Sequence, residues 1–176
     1  AAGVKISSFE ALLGQKTPII RAMPNTPAEI GLGITAQIAN ENVSKDAFEV
    51  AGKLLSAIGE VVSLNSEDQM DAVTGLSGSG PAYVFYLIDA LAVAGHGQGL
   101  DKELAMKLAK MTVLGAGKLA ASSSVVPSDL RVNVTSPNGT TEAGLNILMH
   151  NENGLGPLIE KTVAAATARS KELANG

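Results

Sequence analysis

Pro81-Ala82-Tyr83-Val84-Phe85-Tyr86-Leu87-Ile88-Asp89-Ala90-Leu91-Ala92-Val93-Ala94-Gly95 is the stretch that decides the fold of this chain. Proline suits the first turn of a helix, where its missing N–H costs nothing. Val84, Phe85, Leu87, Ile88, Leu91 and Val93 then cover most of the circumference, and Asp89 is the one charge. A helix that is apolar on nearly every side must be enclosed on nearly every side. A helical domain of about 110 residues rarely wraps one helix so fully, so a second subunit is expected to complete the core. The same run falls short of the roughly 20 residues of a membrane span, and no segment is expected to cross a bilayer.

Working outward, helical punctuation dominates from Asn65 to the end, with starts near Glu67, Pro81, Asp101, Pro127, Thr140 and Leu155. Asp101 is a plausible N-cap ahead of Leu104, Leu108 and Met111, and Pro127 repeats the first-turn proline. Gly115-Ala116-Gly117 predicts close backbone packing in the Asp101 helix. Before Asn65 the periods change. Ile19–Met23, Ile34–Ile38 and Glu60–Leu64 read as strands, and residues 45–58 as a helix capped by Ser44 and stopped by Gly59. Phe48, Ala51, Leu54, Leu55 and Ile58 form its apolar stripe.

Three strands and one helix are too few for an independent doubly wound sheet, so earlier strands are expected to lie outside this chain. Ala1-Ala2-Gly3-Val4-Lys5 has neither an initiator Met nor a signal core, which points to a start inside something longer. The expected organisation is therefore mainly α. Residues 1–65 would be the tail end of an α/β domain, and residues 66–176 an all-helical domain.

Composition narrows the partners. The 176 residues are 45% hydrophobic and 17% charged, with a formal net charge of -4, which describes a compact chain able to bury a core. Thirteen Lys and Arg against 17 Asp and Glu, with 3% aromatic residues, speak against nucleic acid as a partner. With no cysteine there are no disulfides, thiolate nucleophiles or Cys-based zinc sites, which fits a cytoplasmic location. His96 and His150 share no metal-binding spacing and are expected on the surface or as caps, so no metal site is expected.

Three segments could carry chemistry. Asn133-Val134-Thr135-Ser136-Pro137-Asn138-Gly139-Thr140-Thr141 is a hydroxyl-rich turn opening into a helix. Free N–H groups of Gly139, Thr140 and Thr141, helped by the helix dipole, would seat a carboxylate or phosphate. Capping by Thr140 is the ordinary alternative. Gly75-Leu76-Ser77-Gly78-Ser79-Gly80-Pro81 also reads as a loop opening a helix, its glycines letting backbone approach a neighbour or ligand. It is not a dinucleotide fingerprint: Tyr83 stands where the third glycine belongs, and Met70–Thr74 reads as helix rather than strand. Met23-Pro24-Asn25-Thr26-Pro27 follows a strand, where open α/β sheets place ligands, although two prolines would equally explain a rigid turn. Glu67, Asp68 and Asp71 are most simply favourable charges at a helix start.

Taken in this order and spacing, Ala1–Val4, Arg21–Pro27, Asp71–Tyr83 and Thr135–Thr141 resemble pyrroline-5-carboxylate reductase along essentially the whole chain. The resemblance implies an enzyme that reduces 1-pyrroline-5-carboxylate to L-proline with hydride from NADPH or NADH, built from a Rossmann domain and a helical dimerisation domain. It further implies that Ser136, Gly139, Thr140 and Thr141 hold the substrate, with Thr141 reaching the imine nitrogen as the catalytic residue. Glu67 would lie near bound proline. Ala1, Ala2, Met23, Asn25, Thr26 and Asn133 would face the cofactor. A homodimer is implied, with a higher oligomer of dimers left open.

Three departures qualify the match. Asn138 stands where the family has glycine, a mild change because Asn tolerates positive φ. Ser123-Ser124 replaces an acidic residue before the Pro127 helix. No glycine-rich first turn cradles a pyrophosphate, so the isolated chain is expected to be inactive and the choice between NADPH and NADH is not encoded in it. The alternative is a non-enzymatic helical dimerisation module. A hydroxy acid dehydrogenase of similar plan is disfavoured, since residues 81–95 contain no Lys.

Overall fold

The computed structural model describes residues 3–174. Helix α1 (Ile6–Leu13) leads into strand β1 (Ile20–Met23), a 3-10 turn at Thr26–Ile30 and strand β2 (Gly33–Ala39). Helix α2 (Lys45–Leu55) and strand β3 (Gly59–Ser63) complete the α/β part. Strand β2 is central. It runs antiparallel to β1, pairing Ala39 with Ile20, and parallel to β3, pairing Gly33 with Gly59.

Consecutive burial of Thr35, Ala36 and Gln37 marks a strand covered on both faces. Gly33 and Gly59 are required where β2 and β3 meet: Gly59 has φ 142°, and a Cβ there would run into the Gly33 backbone. Ser44 caps α2 as expected, accepting from the Ala47 N–H at 3.2 Å. Asn40 stitches the α1 to β1 connection to the end of β2. Its Oδ1 accepts from Ile19 N–H at 3.0 Å, and its Nδ2 donates to the Thr17 carbonyl and the Glu10 carboxylate.

From Glu67 onward the chain is helical. A 3-10 turn at Glu67–Gln69 runs into α3 (Met70–Val73), a π-helical turn at Thr74–Gly78 and α4 (Gly80–Gly97). Then follow α5 (Lys102–Ser122), α6 (Pro127–Asn133), α7 (Thr140–Leu148) and α8 (Leu155–Ala174). Asp101 caps α5, accepting from Glu103 N–H at 2.8 Å. Both histidines take cap roles: His96 Nδ1 bonds the Leu100 carbonyl at 2.9 Å, and His150 Nδ1 accepts from the Glu152 and Asn153 amides at 3.2 Å.

Cα proximity divides the chain into two compact units, one of residues up to Pro81 together with Lys161 onward, the other Ala82–Glu160. The change of period at Asn65 lies inside the first. There, Met70 is fully buried, and the Ser170 hydroxyl, also buried, donates to Asp71 Oδ1 at 2.6 Å. Asp71 is thus a hydrogen-bond acceptor as well as a first-turn charge. In the second unit α4 meets α5 through small residues: Ala92, Ala105 and Ala109 are its buried apolar side chains, and a Cβ on Gly95 would lie 3.4 Å from that of Ala105.

Two expectations need correction. The Gly75–Pro81 segment is not a loop but a π-helical turn within a longer helical run, because Gly75 lets the run pack on Val163 and Thr167 of α8. That run, Glu67–Gly97, has 31 residues and is long and apolar enough to span a bilayer by length and composition alone. The glycines of Gly115-Ala116-Gly117 meet no neighbour within this chain, since a Cβ on Gly115 or Gly117 would enter open space. The expected need for a second subunit accords with α4, which this chain does not enclose: Phe85 is 59%, Tyr86 76% and Val93 72% exposed.

Candidate functional site

The first compact unit carries a sheet rim. β1 ends at Met23, and the exposed Pro24 and Thr26 follow it. Two fastenings hold this rim. Arg21, only 9% exposed at its side chain, meets Glu67 through Nη1 and Oε1 at 2.7 Å, and the same Oε1 accepts from Ile6 N–H at 2.8 Å. Asn25 bridges in both directions, accepting from Ile34 N–H at 2.9 Å and donating from Nδ2 to the Ser77 carbonyl at 3.1 Å. Met23 packs its methyl against Gly78, where a Cβ would come within 2.7 Å.

These bonds revise two expected roles. Glu67 is more than a dipole partner at a helix start: its carboxylate ties β1 and α1 to the helical run. Asn25 has both ends of its carboxamide engaged within the protein. Ala1 and Ala2 lie outside the described residues. Replacing Arg21 by Met should destabilise the fold by about 2–3 kcal/mol in urea unfolding, less than for a fully buried pair because Glu67 retains some solvent contact.

The second unit carries the turn that opens α7. Asn138 adopts φ 59°, alone among described non-glycine residues in having a positive φ, so the departure from glycine is accommodated. Asn138→Ala should cost about 1 kcal/mol of stability and Asn138→Gly almost nothing, as read by the same unfolding measurement. Gly139 is the N-cap and offers no side chain, so Thr140 stands inside the helix and is not its cap. The expected amide set is also revised: Gly139 N–H donates to the Ser136 carbonyl at 3.0 Å and is not free. A Cβ on Gly139 would strike Ser136, so the turn closes only with glycine there.

Glu142 curls back to accept the N–H of Asn138, the residue before the N-cap, at 2.6 Å. Its place three residues after the N-cap made this contact readable, though it was not among the expected residues. Among the described residues no acceptor is paired with the Thr140, Thr141 and Glu142 amides, and both threonine side chains are exposed. What remains at the start of α7 is therefore three free N–H groups, those of Thr140, Thr141 and Glu142, with two hydroxyls and the dipole's positive end. Ser136 and Asn133 are exposed on the same connection, Asn133 as the last residue of α6. Arg131 lines an apolar groove of about 610 Å³ with Leu145, Met149 and Ile159, and a smaller one with Thr135 and Glu142. No cluster of three or more metal-ligating side chains occurs among the described residues.

A family model described as pyrroline-5-carboxylate reductase dimerisation matches residues 67–173. The pyrroline-5-carboxylate reductase of Pseudomonas aeruginosa is 49% identical over 174 residues, covering 99% of this chain and 63% of its own length. For pyrroline-5-carboxylate reductase 1 of Bacillus subtilis the identity is 42% over 172 residues, with coverages of 98% and 57%. Among solved structures, a pyrroline-5-carboxylate reductase from Coxiella burnetii superposes with a TM-score of 0.93 at 43% identity, over 98% of this chain and 63% of that one. The Plasmodium falciparum pyrroline carboxylate reductase with NADP bound gives 0.88 at 31% identity, with coverages of 98% and 65%. The chain thus spans about three fifths of the length of the curated relatives it matches. The fold is accordingly mainly α, a helical dimerisation domain preceded by a Rossmann-like tail, and the chain belongs to the pyrroline-5-carboxylate reductase dimerisation family.

Proposed function

We propose that this chain supplies the imino acid site and the subunit-pairing surface of a cytoplasmic enzyme that reduces 1-pyrroline-5-carboxylate to L-proline. The unpartnered amides of Thr140, Thr141 and Glu142, at an exposed helix start, carry this reading. A small carboxylate fits such a seat, because amides and the dipole stabilise it without a salt bridge. Ser136 adds a hydroxyl, and Gly139 contributes by leaving the turn open. Glu67 acts within its own unit, where its carboxylate ties β1 and α1 to the helical run.

NADPH or NADH supplies the hydride when bound. The residues of the first unit fit its nicotinamide end in kind, with Met23 and Thr26 on a rim that Asn25 fastens; Asn133, exposed on the second unit, is a separate candidate contact. No glycine-rich strand-to-helix turn for the pyrophosphate occurs among the described residues, so the isolated chain should be inactive. In the reduction the imine carbon gains hydride and the ring nitrogen keeps its proton, so the nitrogen passes from a planar iminium to a tetrahedral amine. The Thr141 hydroxyl is suited to follow that change as a hydrogen-bond partner of the nitrogen. The reductase names of the relatives favour this reading over a purely non-enzymatic pairing module.

Residues 66–176 would form the functional domain, pairing as a homodimer that can assemble further. Its pairing surface would cover the bare apolar side chains of α4 and α5, which lipid would otherwise have to meet. Calorimetric titration of L-proline into the whole natural protein tests the seat. Saturable heat supports it, and a flat trace at millimolar proline sinks it.

A further inference from the structure

Pro81 looks innocuous as a helix opener, yet helical chain precedes it. The run extends from Glu67 through the π-helical turn and a bend at Ser79 into α4, so the residue four before Pro81 is Ser77, inside the π-helical turn. A proline in a continuing helix has no N–H for the carbonyl four residues earlier, and its ring crowds that same carbonyl. The turn widens immediately before Pro81, with Ser79 N–H reaching five residues back to the Thr74 carbonyl at 2.8 Å. The displaced Ser77 carbonyl is met by Asn25 Nδ2 at 3.1 Å. Through its other end Asn25 accepts from Ile34 N–H at 2.9 Å, and so locks the Met23–Pro27 loop to the start of β2.

We propose that Asn25 is a positioning residue: the carbonyl that Pro81 turns out of the helix holds Asn25, and Asn25 holds the Met23–Thr26 rim in the shape that receives the nicotinamide nucleotide. The proposal rests on the reductase reading and refines it, since Asn25 acts through the loop rather than by touching the cofactor. Two unrelated substitutions should then produce one defect. Asn25→Ala removes the tie directly. Pro81→Ala removes it from the far end, because the new N–H draws the Ser77 carbonyl back into the helix, and it does so while improving the helix.

The test is steady-state kinetics of the whole natural protein with NADPH or NADH, together with melting temperature and hydrogen exchange at the Ile34 amide. Both variants should raise the KM for the nucleotide about tenfold, the scale of one lost hydrogen bond, and leave kcat at saturating nucleotide within about twofold. Ile34 should exchange faster in both, and Pro81→Ala should melt no lower than the unsubstituted protein. A nucleotide KM unchanged in Asn25→Ala, or a wild-type KM and Ile34 exchange in Pro81→Ala, overturns the proposal. Loss of activity only in step with loss of folded protein also overturns it. If the unsubstituted protein never consumes nucleotide, the reductase reading falls, and Ile34 exchange alone still decides whether Ser77 holds Asn25.

Discussion

Phe85→Glu is expected to leave the protein monomeric at micromolar concentration in sedimentation velocity. Phe85 is 59% exposed in the chain, so its replacement costs the isolated fold little, and the variant should keep its helical circular dichroism. The bare face continues over Val84, Leu87, Leu91 and Val93 of α4 and over Leu104, Leu108 and Met111 of α5. Each large apolar side chain taken from water contributes about 1.5–3 kcal/mol, and interfaces that resemble a bisected core bury upward of about 2,000 Å². A carboxylate placed inside that contact would be desolvated without a partner, at a cost of several kcal/mol. Leu12→Glu is the matched control: Leu12 is 84% exposed but lies on α1, outside the family's dimerisation segment, so it should leave assembly unchanged. A Phe85→Glu protein that sediments like the parent would move the pairing surface off α4.

Thr140→Pro should weaken L-proline binding by about tenfold or more while leaving thermal stability unchanged, as read by calorimetric titration and melting. The first helical position tolerates proline, and Gly139 at φ -86° and ψ 171° already has the extended shape that precedes one. The substitution therefore deletes one of the three free amides and little else. Arg131→Ala should change affinity little, because the proposed seat holds the carboxylate through amides and hydroxyls and not through a guanidinium. Thr141→Ala should lower turnover more than it weakens proline binding, since a hydroxyl on the ring nitrogen matters most as its charge changes. The reverse ranking, with Arg131→Ala severe and Thr140→Pro silent, would place the carboxylate elsewhere.

Much of this was legible in the sequence. Period and punctuation located all three strands, the Ser44 and Asp101 caps and the first turns of α6 and α7, because each is set by residues a few positions apart. What escaped was set by distant partners. Gly75 reads as a loop residue until Thr167 of α8 is brought against it, and Pro81 as a helix opener until the run before it proves helical. Arg21 gave no signal at all, since a buried guanidinium is recognisable only with Glu67 beside it. At the candidate site the segment was legible but its wiring was not. The free amides begin at Thr140 and run to Glu142, because Gly139 closes its own turn onto Ser136, a bond that depends on the backbone angles of Asn138. The unenclosed α4 was foreseen as a demand for a partner, and it is the feature a chain taken singly cannot satisfy.

Reduction of the cyclic imine to proline is the activity proposed for the whole natural protein. Its most direct test is the consumption of NADPH or NADH by the whole natural protein on addition of 1-pyrroline-5-carboxylate, with L-proline measured in the same reaction. Nucleotide oxidised one for one with proline formed, and lost on Thr141→Ala, is the predicted result. Nucleotide left untouched in the presence of folded, oligomeric protein and fresh imine would contradict the account.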